Sequence, residues 1–181
     1  MGPDTRETRP LTDRAREAVF SALAGSVLDA EVLDLYAGSG SIGIEALSRG
    51  ALRAVFVETG REALQALRQN LADLGFASAT VIGQDVDDFL RAASGRFDLI
   101  FFDPPWALGT AVLMEQMKHA SRLADDGAEM VVHRRRNDAT PDPPEGWGLL
   151  TTRRYGDSAI HRYEKLSVDS LEDQEDAESN E

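Results

Sequence analysis

The chain has 181 residues, 42% of them hydrophobic, and a formal net charge of −13; a chain of this length forms one domain and buries roughly 70% of its unfolded surface. It has no cysteine, which excludes a disulfide scaffold, a thiolate metal site and a cysteine nucleophile. No apolar run is long enough to span a membrane and no signal peptide is read before the first helix, so a cytoplasmic protein is expected.

Residues 1–11 read as an N-terminal extension. Thr12 is then a plausible N-cap for a helix to about Leu23, with Ala15, Val19, Ala22 and Leu23 on one face and Gly25 as its stop. Glu31 to Tyr36 predicts a strand, and Ser41 to Arg49 a helix closed by Gly50. The pattern repeats with a strand at Ala54–Glu58 and a helix at Arg61–Leu74, whose Leu64, Leu67, Leu71 and Leu74 form a stripe ended by Gly75. A strand at 79–83 and a short helix from Val86 to Ala93 follow. "FDLIFFD" (Phe97 to Asp103) is too continuously apolar for a half-exposed strand and suits the buried centre of a parallel sheet. A helix from about Leu108 to Leu123 leads to the strand "AEMVVH", which ends at His133. After the Pro-rich loop "NDATPDPPEG", two β-like runs flank Gly156-Asp157 with no space for a helix, which predicts a hairpin.

The alternation indicates an α/β fold with a doubly wound parallel sheet, helices on both faces and a C-terminal antiparallel hairpin. The charge is uneven along it. "DSLEDQEDAESNE" (Asp169 to Glu181) holds seven acids and no base, leaving −6 for the rest, so 168–181 reads as an acidic disordered tail. Bases cluster in "HRRR" (His133, Arg134, Arg135, Arg136) and at Arg153 and Arg154, which suits either phosphate contacts or a solvated surface.

Open α/β sheets bind ligands beyond the carboxyl ends of their strands, and four features lie there. Gly38-x-Gly40-x-x-Gly43 has the spacing of a dinucleotide-binding fingerprint, and Gly38 and Gly40 let the backbone bend and approach a ligand; a plain tight turn is the alternative. Asp34, three residues ahead of "AGSG", would repel a pyrophosphate but suits a cationic ligand bearing an amino group. Glu58 can accept from both hydroxyls of a ribose. Asp85 can accept from an adenine amino group, cap the next helix, or do both. Last comes "DPPW", Asp103 to Trp106. Pro104 and Pro105 fix the backbone and remove two N–H donors, leaving the Asp103 carboxylate and the Pro104 carbonyl as acceptors beside a flat ring. Such a set holds a planar amine by its N–H hydrogens and keeps the nitrogen lone pair aimed at an electrophile.

Asp34, the glycine loop, Glu58 and "DPPW" in this order resemble a class I S-adenosylmethionine-dependent methyltransferase acting on an exocyclic amino nitrogen, with a nicotinamide enzyme as the minor alternative. More narrowly, "RPLTDRAREAVF", "LDLYAGSGSIGIEALSRGA", "VFVE", "FDLIFFDPPW" and "RRYGD" are similar to the bacterial 16S rRNA guanine-N2 methyltransferase family. The resemblance implies a Rossmann-like class I methyltransferase domain over 12–167, with seven strands and no metal. It implies cofactor contacts from Asp34, Tyr36, Ala37, Gly38, Ser39, Gly40, Glu58, Thr59, Asp85, Val86 and Asp103. Asp103, Pro104, Pro105 and Trp106 would hold the target guanine. Arg14 and Arg16 join Arg134, Arg135 and Arg136 as candidate RNA contacts. The implied partner is 16S rRNA within an assembled or assembling small ribosomal subunit, met by a monomer. Two departures, Thr59 after Glu58 and His133 where an acid is usual, are read as lying outside the transfer chemistry. An amino-methyltransferase for DNA adenine or protein glutamine, and a non-catalytic nucleotide-binding module, remain alternatives.

Overall fold

The computed structural model describes residues 12–167, so the N-terminal extension and the acidic tail lie outside the described residues. Its central strands are β1 (Glu31–Leu35) and β4 (Phe97–Phe102). Val32, Leu33, Leu35, Leu99, Ile100, Phe101 and Phe102 in these strands are all buried, because helices cover both faces of the sheet. On one face, α1 (Asp13–Ala22), α2 (Ser41–Ser48) and α3 (Arg61–Leu74) pack Phe20, Ile42, Leu67 and Leu71 against Val32, Leu99 and Phe101. On the other, α4 (Val86–Ala92) and α5 (Thr110–Ser121) pack Leu90, Leu113 and Met117 against Leu33, Leu35, Ile100 and Phe102.

The remaining strands are β2 (Arg53–Glu58), β3 (Ala79–Gly83), β5 (Ala124–Arg135), β6 (Trp147–Tyr155) and β7 (Ser158–Lys165). The sheet order is β3-β2-β1-β4-β5-β7-β6; β1 to β5 run parallel, and β7 runs antiparallel to both of its neighbours. The doubly wound sheet and the terminal hairpin agree with the sequence expectation. Thr12 caps α1, its Oγ1 accepting from Ala15 N at 3.3 Å, and Gly75 closes α3 at φ +71°.

Two details differ from the sequence reading. Strand β5 starts four residues early, pairing Ala124 with Phe97 ahead of a register shift, and continues to Arg135 because β7 supplies backbone partners as far as Ser158. The α3 stripe is shorter than expected: Leu67 and Leu71 are buried, whereas Leu74, on the last turn, is exposed.

The topology sets the site. After β1 the chain winds outward through β2 and β3, then returns to lay β4 on the other side of β1. Parallel registers place Leu35 opposite both Val57 and Phe102, and Phe102 opposite Val132. The residues that follow, Tyr36, Glu58, Asp103 and His133, therefore leave one edge of the sheet side by side, at its switch point.

Candidate active site

The glycine loop is built by steric necessity. Tyr36 leaves β1 at φ +64°, and Gly38 and Gly40 follow at +57° and +89°. A left-handed tyrosine costs on the order of 1–3 kcal/mol and persists only where its surroundings hold it. Here its hydroxyl donates to Gln116 Oε1 at 2.8 Å, and Gln116 Nε2 donates to Asp87 Oδ1 at 2.9 Å. Burial pushes the Tyr36 phenol up to about 12, which keeps it a donor. A Cβ on Gly40 would stand 2.4 Å from Leu67 Cδ1, and one on Gly43 would stand 2.3 Å from Phe56 Cε1. Gly43 thus lets α2 lie directly on β2.

Three carboxylates surround this loop. Asp34 is fully buried; its Oδ2 accepts from Gly43 N at 2.9 Å, and its Oδ1 has no partner. Burial raises its carboxyl to about 7, the Gly43 hydrogen bond opposes the rise, and the negative charges of Asp103 and Glu58 add to it. Glu58 Oε2 accepts from Gly38 N at 2.8 Å, while its Oε1 accepts from Thr59 N at 2.8 Å and Gly60 N at 2.6 Å. A carboxylate offers about four acceptor positions. Three are taken, so Glu58 fastens the glycine loop to the start of α3 and keeps one position free, where the sequence reading expected two hydroxyl contacts. Asp85 caps α4 by accepting from Asp87 N at 2.8 Å, and Val86 behind it is buried. Ala37 is buried, whereas Ser39 and Thr59 are exposed.

At the end of β4, Asp103 is half-buried, Pro104 buried, Pro105 exposed and Trp106 half-buried. Asp103 N donates to Leu35 O at 3.3 Å, which ties this end directly to the root of the glycine loop. Asp103 Oδ1 lies 2.6 Å from His133 Nδ1, and His133 Nε2 lies 2.8 Å from Ser158 Oγ. His133, read as lying outside the transfer chemistry, is buried and in contact with the carboxylate that ends the neighbouring strand. The position of strand-end His133 next to strand-end Asp103 was the available signal, and it becomes visible only once β4 and β5 are known to be neighbours.

The arginines separate. Arg134 is buried, donates to Leu108 O at 2.8 Å and pairs with Asp138 at 3.0 Å, so its expected RNA contact is corrected to a structural one. Exposed Arg135 lays its guanidinium 4.9 Å from the centre of the Trp106 ring. Exposed Arg136 donates to Gly156 O at 3.4 Å. Arg16 pairs with Asp13 at 3.0 Å and reaches toward Glu45 at 4.0 Å, beside Ser39. Arg14, Thr12 and Arg154 line a cleft of about 400 Å³ that also includes Ser158. A groove of about 1130 Å³ between α5 and 142–145 contains none of these residues.

Comparison with known proteins converges on one family. The family described as "Conserved hypothetical protein 95" matches residues 2–164. Ribosomal RNA small subunit methyltransferase D of Escherichia coli K12 is 35% identical over 167 residues, covering 90% of this chain and 82% of the relative. The structure of the Escherichia coli protein yhhF superposes with a TM-score of 0.79 at 35% identity, covering 91% of this chain and 89% of that one. Magnesium protoporphyrin IX methyltransferase of Synechocystis PCC 6803, solved with bound S-adenosylmethionine, shares the fold at a TM-score of 0.67 and 18% identity, over 84% of this chain and 78% of that one. The fold is thus that of the class I methyltransferases.

Proposed function

This chain belongs to the family that includes ribosomal RNA small subunit methyltransferase D, and we propose that it methylates the exocyclic N2 of a guanine in 16S rRNA, using S-adenosylmethionine. The observation that carries the reading is the shared strand edge, where the Asp103 acceptor group stands beside the glycine loop and the half-satisfied Asp34.

The donor set fits this cofactor. A buried carboxylate oxygen without a partner, flanked by two further acids, favours a cationic ligand. Asp34 holds the amino group of the cofactor, Glu58 one ribose hydroxyl, and Asp85 the adenine amino group beside Val86. Tyr36, Ala37, Ser39 and Thr59 would stand around the cofactor. When bound, the cofactor supplies a methyl group made electrophilic by its sulfonium.

The rest is positioning, which can supply ~7–11 kcal/mol of a barrier. The guanine flips out of its strand and stacks on Trp106, a contact of about 1–3 kcal/mol. Arg135, already lying on that ring, is within reach of the adjoining phosphate. The Pro104 carbonyl and Asp103 Oδ2 accept the two N2 hydrogens, which leaves the nitrogen lone pair free to attack an electrophile. Asp103 opposes the positive charge that develops on N2 and takes up the proton that the methylated amine releases. Arg14 and Arg154 hold RNA phosphates along the cleft at the start of α1, with Arg136 beside it at Gly156. The enzyme acts in the cytoplasm, as a monomer, on an assembled or assembling small subunit; no helix among the described residues is long and apolar enough to cross a membrane.

The test is transfer of labelled methyl from S-adenosylmethionine to small subunits and to naked 16S rRNA, followed by nucleoside mass spectrometry. The expected product is N2-methylguanosine. Label on adenine, on protein or nowhere refutes the reading.

A further inference from the structure

We propose that His133 is a positioning residue for Asp103, a role that rests on the methyltransferase reading above. Three neighbouring strands contribute one residue each to a line of polar side chains. Asp103 follows β4, His133 lies in β5 and Ser158 opens β7. His133 Nδ1 is 2.6 Å from Asp103 Oδ1, and its Nε2 is 2.8 Å from Ser158 Oγ. Histidine and serine are both buried, and around the ring stand Val19, Phe20, Ile42, Phe101, Phe102, Val131 and Ile160.

The donor inventory fixes the Asp103 end of this line. An ionised carboxylate only accepts, so the proton between Asp103 and His133 sits on Nδ1. Nε2 meets Ser158 Oγ, a hydroxyl that both donates and accepts and so satisfies either form of the ring. Hydrogen bonds at both ring nitrogens, in apolar surroundings, hold the imidazole in one orientation. The ring in turn holds Asp103 by Oδ1. With Oδ1 engaged, Oδ2 is the oxygen left for the amine, at a fixed rotation relative to the Pro104 carbonyl. Without the tether the carboxylate rotates freely, and a misplacement of this kind can cost about 100-fold in rate.

The experiment combines kinetics with proton NMR. His133→Leu is expected to lower kcat about 100-fold. The KM for RNA and the calorimetric affinity for S-adenosylhomocysteine should stay at wild-type values. His133→Asn, whose Nδ2 reaches the place of Nδ1, is expected to recover most of the lost kcat. In the wild-type protein, a ring N–H proton shifted far downfield is expected, lost in Asp103→Ala and kept in Ser158→Ala. Should His133→Leu fail to fold, the Ser158→Ala kinetics and the resonance decide the matter: a lowered kcat at constant KM and the expected pattern of the resonance support the tether. An unchanged kcat in His133→Leu, no recovery in His133→Asn, or no downfield proton in the wild type overturns it. A wild-type protein that keeps this proton yet methylates no RNA refutes the substrate reading and leaves the tether standing.

Discussion

Replacing Asp34 by Asn separates the two demands that the site makes on this residue. In the folded protein the carboxyl is raised from 3.8 to about 7, chiefly by burial. A group raised by about three units carries a penalty of roughly 4 kcal/mol when ionised. The sign follows from proton counting. Between about pH 4 and 7 the folded chain holds a proton that the unfolded chain has lost, so stability falls as pH rises through this window and levels off above it. Integrated from pH 5 to pH 8, the loss from Asp34 is roughly 2–3 kcal/mol. Asn cannot ionise and still offers an oxygen to Gly43 N. Asp34→Asn should therefore gain roughly 2–3 kcal/mol over the wild type at pH 8 relative to pH 5, read by urea unfolding at both values. Calorimetry with S-adenosylmethionine should show the reverse. Wild-type affinity climbs with pH up to about 7, by as much as about tenfold per unit, whereas the variant binds weakly and without this slope. A stability difference that is the same at both pH values, or cofactor binding undisturbed by the substitution, refutes the reasoning.

Three further outcomes are expected. Asp103→Ala abolishes methyl transfer while calorimetric affinity for S-adenosylmethionine remains near wild type; parallel loss of both would mean that the roles are wrongly divided. Glu58→Ala leaves three backbone N–H groups at Gly38, Thr59 and Gly60 without their acceptor, so it lowers both the melting temperature and cofactor affinity, whereas kcat at saturating cofactor changes little. Gly43→Ala drives a methyl into the Phe56 ring and costs about 1–3 kcal/mol in urea unfolding, because the ring is buried and has nowhere to move.

The sequence carried the architecture because periodicity and punctuation are local signals. The apolar run of β4, the Gly75 stop and the Gly156-Asp157 turn each state their structure within a few residues. The strand-end acids were legible for the same reason, since doubly wound sheets bind ligands at one edge. What was not legible depends on register across the sheet. His133 meets Asp103 only because β5 is laid beside β4 with Phe102 opposite Val132. Arg134 reads as one of three exposed bases, yet a strand alternates its side chains, and β7 extends β5 far enough to turn Arg134 inward while Arg135 faces Trp106. The near-saturation of Glu58 by backbone donors depends on the curl of the loops at Gly38 and Gly60, which composition does not encode.

The proposed function requires a methyl donor and a guanine amine to meet at the edge shared by Gly38 and Asp103. Its most direct measurement is mass spectrometry of 16S rRNA from a strain deleted for this gene and complemented with either the wild type or Asp103→Ala. One N2-methylguanosine should vanish on deletion, return with the wild-type gene and stay absent with the variant. An rRNA methylation pattern untouched by deletion, or restored equally by Asp103→Ala, would contradict it.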